Sequence, residues 1–283
     1  MTASVKEVGL VAALSKGDAA TFATEVRRWV EARGCHVWDE AALDATGGAG
    51  VDAVIVLGGD GLMMRVANRY ADVPLLGINF GKVGFLAAVE RRNWVEALGS
   101  LLDGDFLIDE GATLEAFVQR DAARLDVGWA INDVVIRSDV RMIDIELYLD
   151  GRYVNTYPGD GMIVATPRGS TAYGMAAGGP VLTAGVRGFA IVPISCHSPI
   201  RTPFVVAEGT TIELLTPSEH AASLVLDGRP TFALGKGDTV HVHRGEHRFR
   251  MITLPSTNFF EAFRTKFNFQ IRPDAVPTRK SHR

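Results

Sequence analysis

Val54-Ile55-Val56-Leu57-Gly58-Gly59-Asp60-Gly61 joins a strand signal directly to a glycine loop. A continuous apolar, mostly β-branched run reads as a strand buried on both faces of a parallel sheet. The glycines then fall at the carboxyl end of that strand, where open α/β sheets bind ligands. Glycine lets backbone N–H groups approach a phosphate closely, and a following helix N-terminus favours the anion. The lone acid, Asp60, needs a reason. A carboxylate repels phosphate unless it binds Mg²⁺ or accepts a hydroxyl proton. The plainer reading is a glycine turn with Asp60 as a helix N-cap. No Gly-x-x-x-x-Gly-Lys-Ser/Thr loop is present, and Met64 stands where a third glycine would complete Gly-x-Gly-x-x-Gly.

Around this stretch, strand and helix signals alternate. Val5 to Leu14 is strand-like. Asp18 is expected to cap a helix burying Phe22, Val26, Trp29 and Val30, and Gly34 to stop it. The helix after the glycine loop should bury Met63, Val66, Ala67 and Tyr70. Leu75 to Ile78 predicts another strand, and Asn93 a capped helix burying Trp94, Ala97, Leu98 and Leu101. This is an open α/β unit with a mostly parallel sheet.

From about residue 109 the pattern has period two. Ile143, Ile145, Leu147 and Leu149 alternate with Asp144, Glu146 and Tyr148, and Asp150-Gly151 then supplies a hairpin turn. Leu224 to Leu226 followed by Asp227-Gly228 repeats the device. His241 to Arg244 and His247 to Leu254 read as a further pair of strands. A helix-like tail, Asn258 to Phe269, carries Phe259, Phe260, Phe263 and Phe267. The expected division is an α/β domain over 1–108, a β-rich domain over 109–254, and a tail over 255–283 that packs back on the first domain. No linker separates the domains, which implies close packing with a cleft between them.

The chain has 283 residues and a formal net charge of −4. That charge argues against a general nucleic-acid binder and gives no support to an anionic-membrane role. No apolar run reaches the roughly 18 residues of a membrane helix. The N-terminus has only Lys6 as a positive charge within its apolar run and reads as a first strand rather than a signal peptide. Cys35 and Cys196 lie far apart without metal-like spacing, as expected of thiols in a reducing, cytoplasmic compartment.

Two further segments carry polar groups that a plain core strand would not. In Ala130-Ile131-Asn132-Asp133-Val134-Val135-Ile136, polar side chains enter an apolar strand, which costs free energy unless they meet partners. Asn can read an adenine edge, and a carboxylate can accept from ribose hydroxyls. The plainer reading is a bulge or turn at a strand start. In Gly159-Asp160-Gly161 and Thr166-Pro167-Arg168-Gly169-Ser170-Thr171-Ala172-Tyr173, a strand runs into a proline–glycine turn. Ser170 or Thr171 then stands at a helix start, and Tyr173 offers a stacking face. The plainer reading is a capped helix with a core tyrosine. His241, His243 and His247 suggest a metal site, but a solvated strand is the better reading.

These three segments, in this order, resemble the NAD kinase family. Its members carry a Gly-Gly-Asp-Gly loop, an Asn-Glu or Asn-Asp pair, and a Gly-Asp-Gly segment ending in Thr-Pro-Thr-Gly-Ser-Thr-Ala-Tyr or a relative of it. Gly77 to Leu86, Gly178-Gly179-Pro180 and Asp227-Gly228 extend the likeness over most of the chain. The first loop alone is weak, since diacylglycerol-type lipid kinases and phosphofructokinases share related loops. The three together are specific. The resemblance implies transfer of the γ-phosphoryl group of ATP, carried with Mg²⁺, to the 2′-hydroxyl of the adenosine ribose of NAD, with polyphosphate as the alternative donor. It implies that Asp60, between Gly59 and Gly61, orients or deprotonates that hydroxyl. Asn132 would hold adenine, with Thr171 near it, and Asp133 ribose hydroxyls. Asp160, Ala172 and Tyr173 would line the dinucleotide pocket, with Phe85 as an apolar wall. Asp227 would lie near the reacting ribose or metal. No side chain is assigned as a dedicated metal ligand. A homodimer or homotetramer built through the β-rich domain is expected.

There are departures. Arg168 replaces a small hydroxyl residue and is expected to point toward the bound nucleotide, stacking on adenine or pairing with a phosphate. Ala176, counted with the pocket, stands where relatives often have a polar residue. The segment Cys196 to Pro203 matches the family imperfectly. The competing functions are a lipid kinase of the related fold, for which no basic amphipathic helix is evident, and a non-catalytic dinucleotide-binding regulator.

Overall fold

A computed structural model of the chain describes residues 5–13, 18–80, 84, 86–87, 89–138, 140–183, 185–197, 199, 201–255 and 263. They fall into two compact units, one within Met1–Ile108 and Met251–Arg283, the other Asp109–Arg250. The helix-like tail expected from Asn258 lies outside the described residues except for Phe263.

The first unit alternates strand and helix: β1 (Glu7–Ala12), α1 (Ala19–Glu31), β2 (His36–Trp38), α2 (Glu40–Thr46), β3 (Ala53–Leu57), α3 (Asp60–Arg69), β4 (Leu75–Asn79), β5 (Val89–Glu90) and α4 (Trp94–Asp103). The strands pair in parallel in the order β2-β1-β3-β4, with β5 beside β4. Every residue of β3 and β4 is buried, as the unbroken apolar runs require. Helix α1 buries Phe22, Val26 and Val30 against Ile55, Leu57, Leu76 and Ile78. Asp18 and Asn93 do stand at the N-cap positions of α1 and α4, but neither caps with its side chain. Asp18 instead pairs with Arg91. The sequence reading missed β2 and α2, which are short. Their signal was present: Asp39 accepts from Ala42 N at 2.9 Å, and Gly47 closes α2 at φ 63°.

The second unit is built from β6 (Leu107–Arg120), β7 (Ala123–Ala130), β8 (Asp133–Ser138), β9 (Ile143–Leu149), β10 (Arg152–Gly159), β11 (Gly161–Ala165), one-turn α5 (Tyr173–Ala176), β12 (Gly188–Ile194), β13 (Phe204–Ala207), β14 (Ile212–Leu215), β15 (Ala222–Leu226), β16 (Arg229–Leu234) and β17 (Thr239–Thr253). One sheet runs β10-β9-β14-β17-β6-β7, the other β13-β12-β11-β8-β15-β16. Alternate residues of each sheet meet in one core. Ile143, Ile145, Leu147, Ile212 and Leu214 face Val134, Ile136, Met162, Val164 and Ile191. Asp150 and Gly151 have φ of 49° and 72°, and Asp227 and Gly228 have φ of 48° and 75°, the double positive values the hairpin turns demand. The expected break near Gly245 does not occur. Thr239–Thr253 is one continuous strand, because Gly245-Glu246 lacks the paired left-handed conformation of a tight turn.

Candidate functional site

In the first unit the glycine loop leaves β3 beside the point where the sheet reverses its winding, with β2 on one side of β1 and β3 on the other. Gly58 N still donates to Ile78 O at 2.9 Å, so β4 steadies the loop. Gly59 is the N-cap of α3, and Asp60 is its first helical residue. Asp60 is therefore not the cap that the plainer reading supposed. Its Oδ1 accepts from Leu86 N at 3.0 Å and Ala87 N at 3.1 Å. A Cβ on Gly84 would stand 1.9 Å from that oxygen, so only glycine leaves room for the carboxylate there. The result is an acid held by backbone amides at a helix N-terminus, whose dipole favours negative charge. Phe85, the expected apolar wall, lies outside the described residues.

In the second unit, Ile131-Asn132-Asp133 links β7 to β8, and its side of the β8–β11 sheet meets the turn that follows β11. Thr166 ties the two. Its Oγ1 donates to Ile131 O at 2.7 Å and accepts from Gly169 N at 3.1 Å, while its N–H donates to Asn132 O at 2.9 Å. Gly169 presses so closely that a Cβ would fall 1.9 Å from Asn132 O. Asp227, from the β15–β16 turn, accepts from Ile131 N (2.9 Å), Asn132 N (2.7 Å) and Asp133 N (3.3 Å). These bonds, together with Thr166, are what sequence reading missed. The Asp227 carboxylate, expected near the reacting ribose or metal, holds the Ile131–Asp133 segment through these bonds.

Asp133 is only 4% exposed, and burial and then the nearby Asp227 charge push its pKa up to about 7. Tyr173 packs partly against Val135, Ile163 and Ala165, and Ala172 and Ala176 are exposed. The expected helix start is a 3₁₀ turn, Gly169–Thr171, followed by one α turn. Ser170 Oγ donates to Pro167 O at 2.6 Å and accepts from Leu182 N at 2.8 Å, so its hydroxyl serves the fold. Thr171 Oγ1 bonds Arg168 O at 3.0 Å.

Arg168 does not reach out toward a nucleotide. Its guanidinium pairs with Asp109 at 2.6 Å and lies 4.8 Å over the Phe249 ring. Burial lowers its pKa, against the opposing pull of Asp109. Asp160 is not gathered with the others either. It precedes β11, and Asn132 and Asp133 lie beyond its far end, about 16 Å of strand away. The histidines of β17 are half-buried against rings rather than solvated. His241 stacks on Phe117 with centroids 4.5 Å apart, and His247 meets Trp129 at 4.9 Å. Among the described residues no group of three or more His, Cys, Asp or Glu could hold a metal.

Family models described as the ATP-NAD kinase N-terminal and C-terminal domains match residues 40–106 and 131–254. The chain is 54% identical to an NAD kinase of Thermomicrobium roseum, over 98% of this chain and 96% of the relative. It is 35% identical to an NAD kinase of Syntrophotalea carbinolica, over 94% and 99%. Its fold matches a crystal structure of yeast NADH kinase complexed with NADH at TM-score 0.81 and 17% identity, covering 98% of this chain and 91% of that one. It also matches an NAD kinase from Archaeoglobus fulgidus in complex with ATP at TM-score 0.74 and 24% identity, covering 93% and 97%.

Proposed function

The chain belongs to the NAD kinase family, and we propose how its residues divide the work. Its activity is transfer of the γ-phosphoryl group of ATP to the 2′-hydroxyl of the adenosine ribose of NAD, giving NADP. The 2′-oxygen forms a bond to the γ-phosphorus, the bond to the β-phosphate oxygen breaks, and ADP leaves. Such a transfer needs alignment and charge stabilisation more than covalent help.

The observation that supports the assignment of the catalytic group is the Asp60 carboxylate, fixed by the Leu86 and Ala87 amides at the N-terminus of α3. Held there, it orients the 2′-hydroxyl and takes its proton, with Gly59 and Gly61 leaving the backbone open to phosphate. Asn132 holds adenine and Asp133 the 3′-hydroxyl of the adenosine ribose. Thr171, Ala172, Tyr173 and Ala176 line the dinucleotide pocket. Mg²⁺ would be carried by the substrate phosphates of ATP, which leaves the Asp60 carboxylate to the hydroxyl. When bound it neutralises charge on the transferring phosphate. We assign the protein to the cytoplasm, since Cys35 and Cys196 are free thiols, and expect a homodimer or homotetramer through the second unit.

Asn132→Ala tests the nucleoside assignment. It should weaken NAD binding by about 1–3 kcal/mol, because adenine's donors and acceptors lose their partner. Calorimetry showing wild-type affinity removes Asn132 from the pocket.

A further inference from the structure

The segment Ile131-Asn132-Asp133 has six backbone polar groups, and two residues account for all of them. Thr166 serves Ile131 O and Asn132 O. Asp227 takes the three N–H groups with its carboxylate and returns its own N–H to Asp133 O at 3.1 Å. Buried backbone groups must be paired, so the course of this segment depends on which partners reach it. Asp227 can reach because it sits at φ 48° in the β15–β16 turn, with Gly228 at φ 75°. An anion accepting from several backbone N–H groups makes bonds about twice as strong as neutral ones.

We infer that Asp227 is a positioning residue for NAD: by gathering the Ile131, Asn132 and Asp133 amides it sets the side chains of Asn132 and Asp133 in place to receive adenosine. The inference rests on the assignment of that pair to the acceptor nucleoside. A second consequence is electrostatic. Leu226 and Asp227 approach Asp133 from β15 and its turn, and β11 sets Ala165 opposite it. Asp227 is the charged group that acts on Asp133 among the described residues, and it raises the pKa that burial has already raised. Ionised Asp133 accepts from the 3′-hydroxyl of that adenosine's ribose and leaves the 2′ proton to Asp60, whereas the protonated acid gives up acceptor capacity. The KM for NAD therefore rises as pH falls through about 7.

Asp227→Asn keeps a residue that tolerates the left-handed turn. It loses one acceptor oxygen and turns an NH₂ toward an N–H. The KM for NAD should rise about tenfold, with kcat within about threefold and the KM for ATP unchanged. The acid limb of the NAD KM profile should move to lower pH, since a like charge has gone. Asp227→Gly, which also fits the turn, should show the same split if the first variant folds poorly. Wild-type NAD KM and pH limb in both variants, while Asn132→Ala raises KM, overturn the inference alone. An unchanged KM in Asn132→Ala overturns the nucleoside assignment, and the inference with it. Loss of the folded state in both Asp227 variants overturns it too, because Asp227 would then hold the fold rather than the pair.

Discussion

Asp133 shows what a buried carboxylate costs the fold. A carboxylate 4% exposed with a second carboxylate nearby is held at a pKa of about 7, against an ordinary value of 3.8. The folded chain therefore binds this proton more tightly than the unfolded chain. Stability contributed by the protonated acid is present at low pH and is lost as pH rises from the ordinary value through about 7. Asp133→Asn, which carries no charge to bury, should raise Tm relative to the wild type at about pH 8, by an amount equivalent to roughly 1–3 kcal/mol. The gain should vanish below about pH 4, where both forms of the site are neutral. Thermal scans with equal differences at both pH values would show that Asp133 is not strained by burial. That Asp133 is polar within an apolar strand was legible in the sequence. Its exposure and its neighbour were not, since Asp227 arrives from 94 residues away.

Among the elements, the loops carry more of the design than the helices they were expected to start. The turn after β11 reads as a helix N-terminus from Pro167, Gly169 and Ser170, but its hydroxyls are spent on Pro167, Leu182 and Arg168. Arg168 anchors the turn to Asp109 in β6 and to Phe249 in β17. The direction of Arg168 was not legible in the sequence, because nothing local marks a partner 59 residues earlier. The two ends of this ion pair are unequal: the Arg168 side chain is 15% exposed and that of Asp109 36%. Asp109→Asn removes the counter-charge of the deeper group and should cost about 3–5 kcal/mol, whereas Arg168→Thr leaves a partly exposed acid and should cost about 1–2. Urea unfolding of the two variants checks this order, and the reverse order would mean that Arg168 is not held by its charge.

Across the whole chain, the architecture was legible because it rests on periodicity. Unbroken apolar runs marked β3 and β4, period two marked β9, and Asp-Gly pairs marked two hairpins. Long β17 was misread as two strands, since its one glycine carries no turn. The candidate site was legible as three motifs but not as a geometry. The amides that hold Asp60 come from 26 and 27 residues downstream, and contacts of that kind leave no local pattern. Gly84 is the trace they do leave, a glycine required by the carboxylate it faces.

The central step is Asp60 acting on the 2′-hydroxyl of NAD. Purified protein, wild type and Asp60→Asn, is mixed with Mg²⁺, ATP and NAD, the product is identified by mass and by phosphorus resonance, and its rate of appearance is followed. The wild type should yield NAD phosphorylated at the 2′ position of its adenosine ribose. Asp60→Asn should bind NAD normally by calorimetry yet turn over about 10²–10⁴ times more slowly. Wild-type turnover in Asp60→Asn, or a phosphate placed on any other hydroxyl, would contradict it.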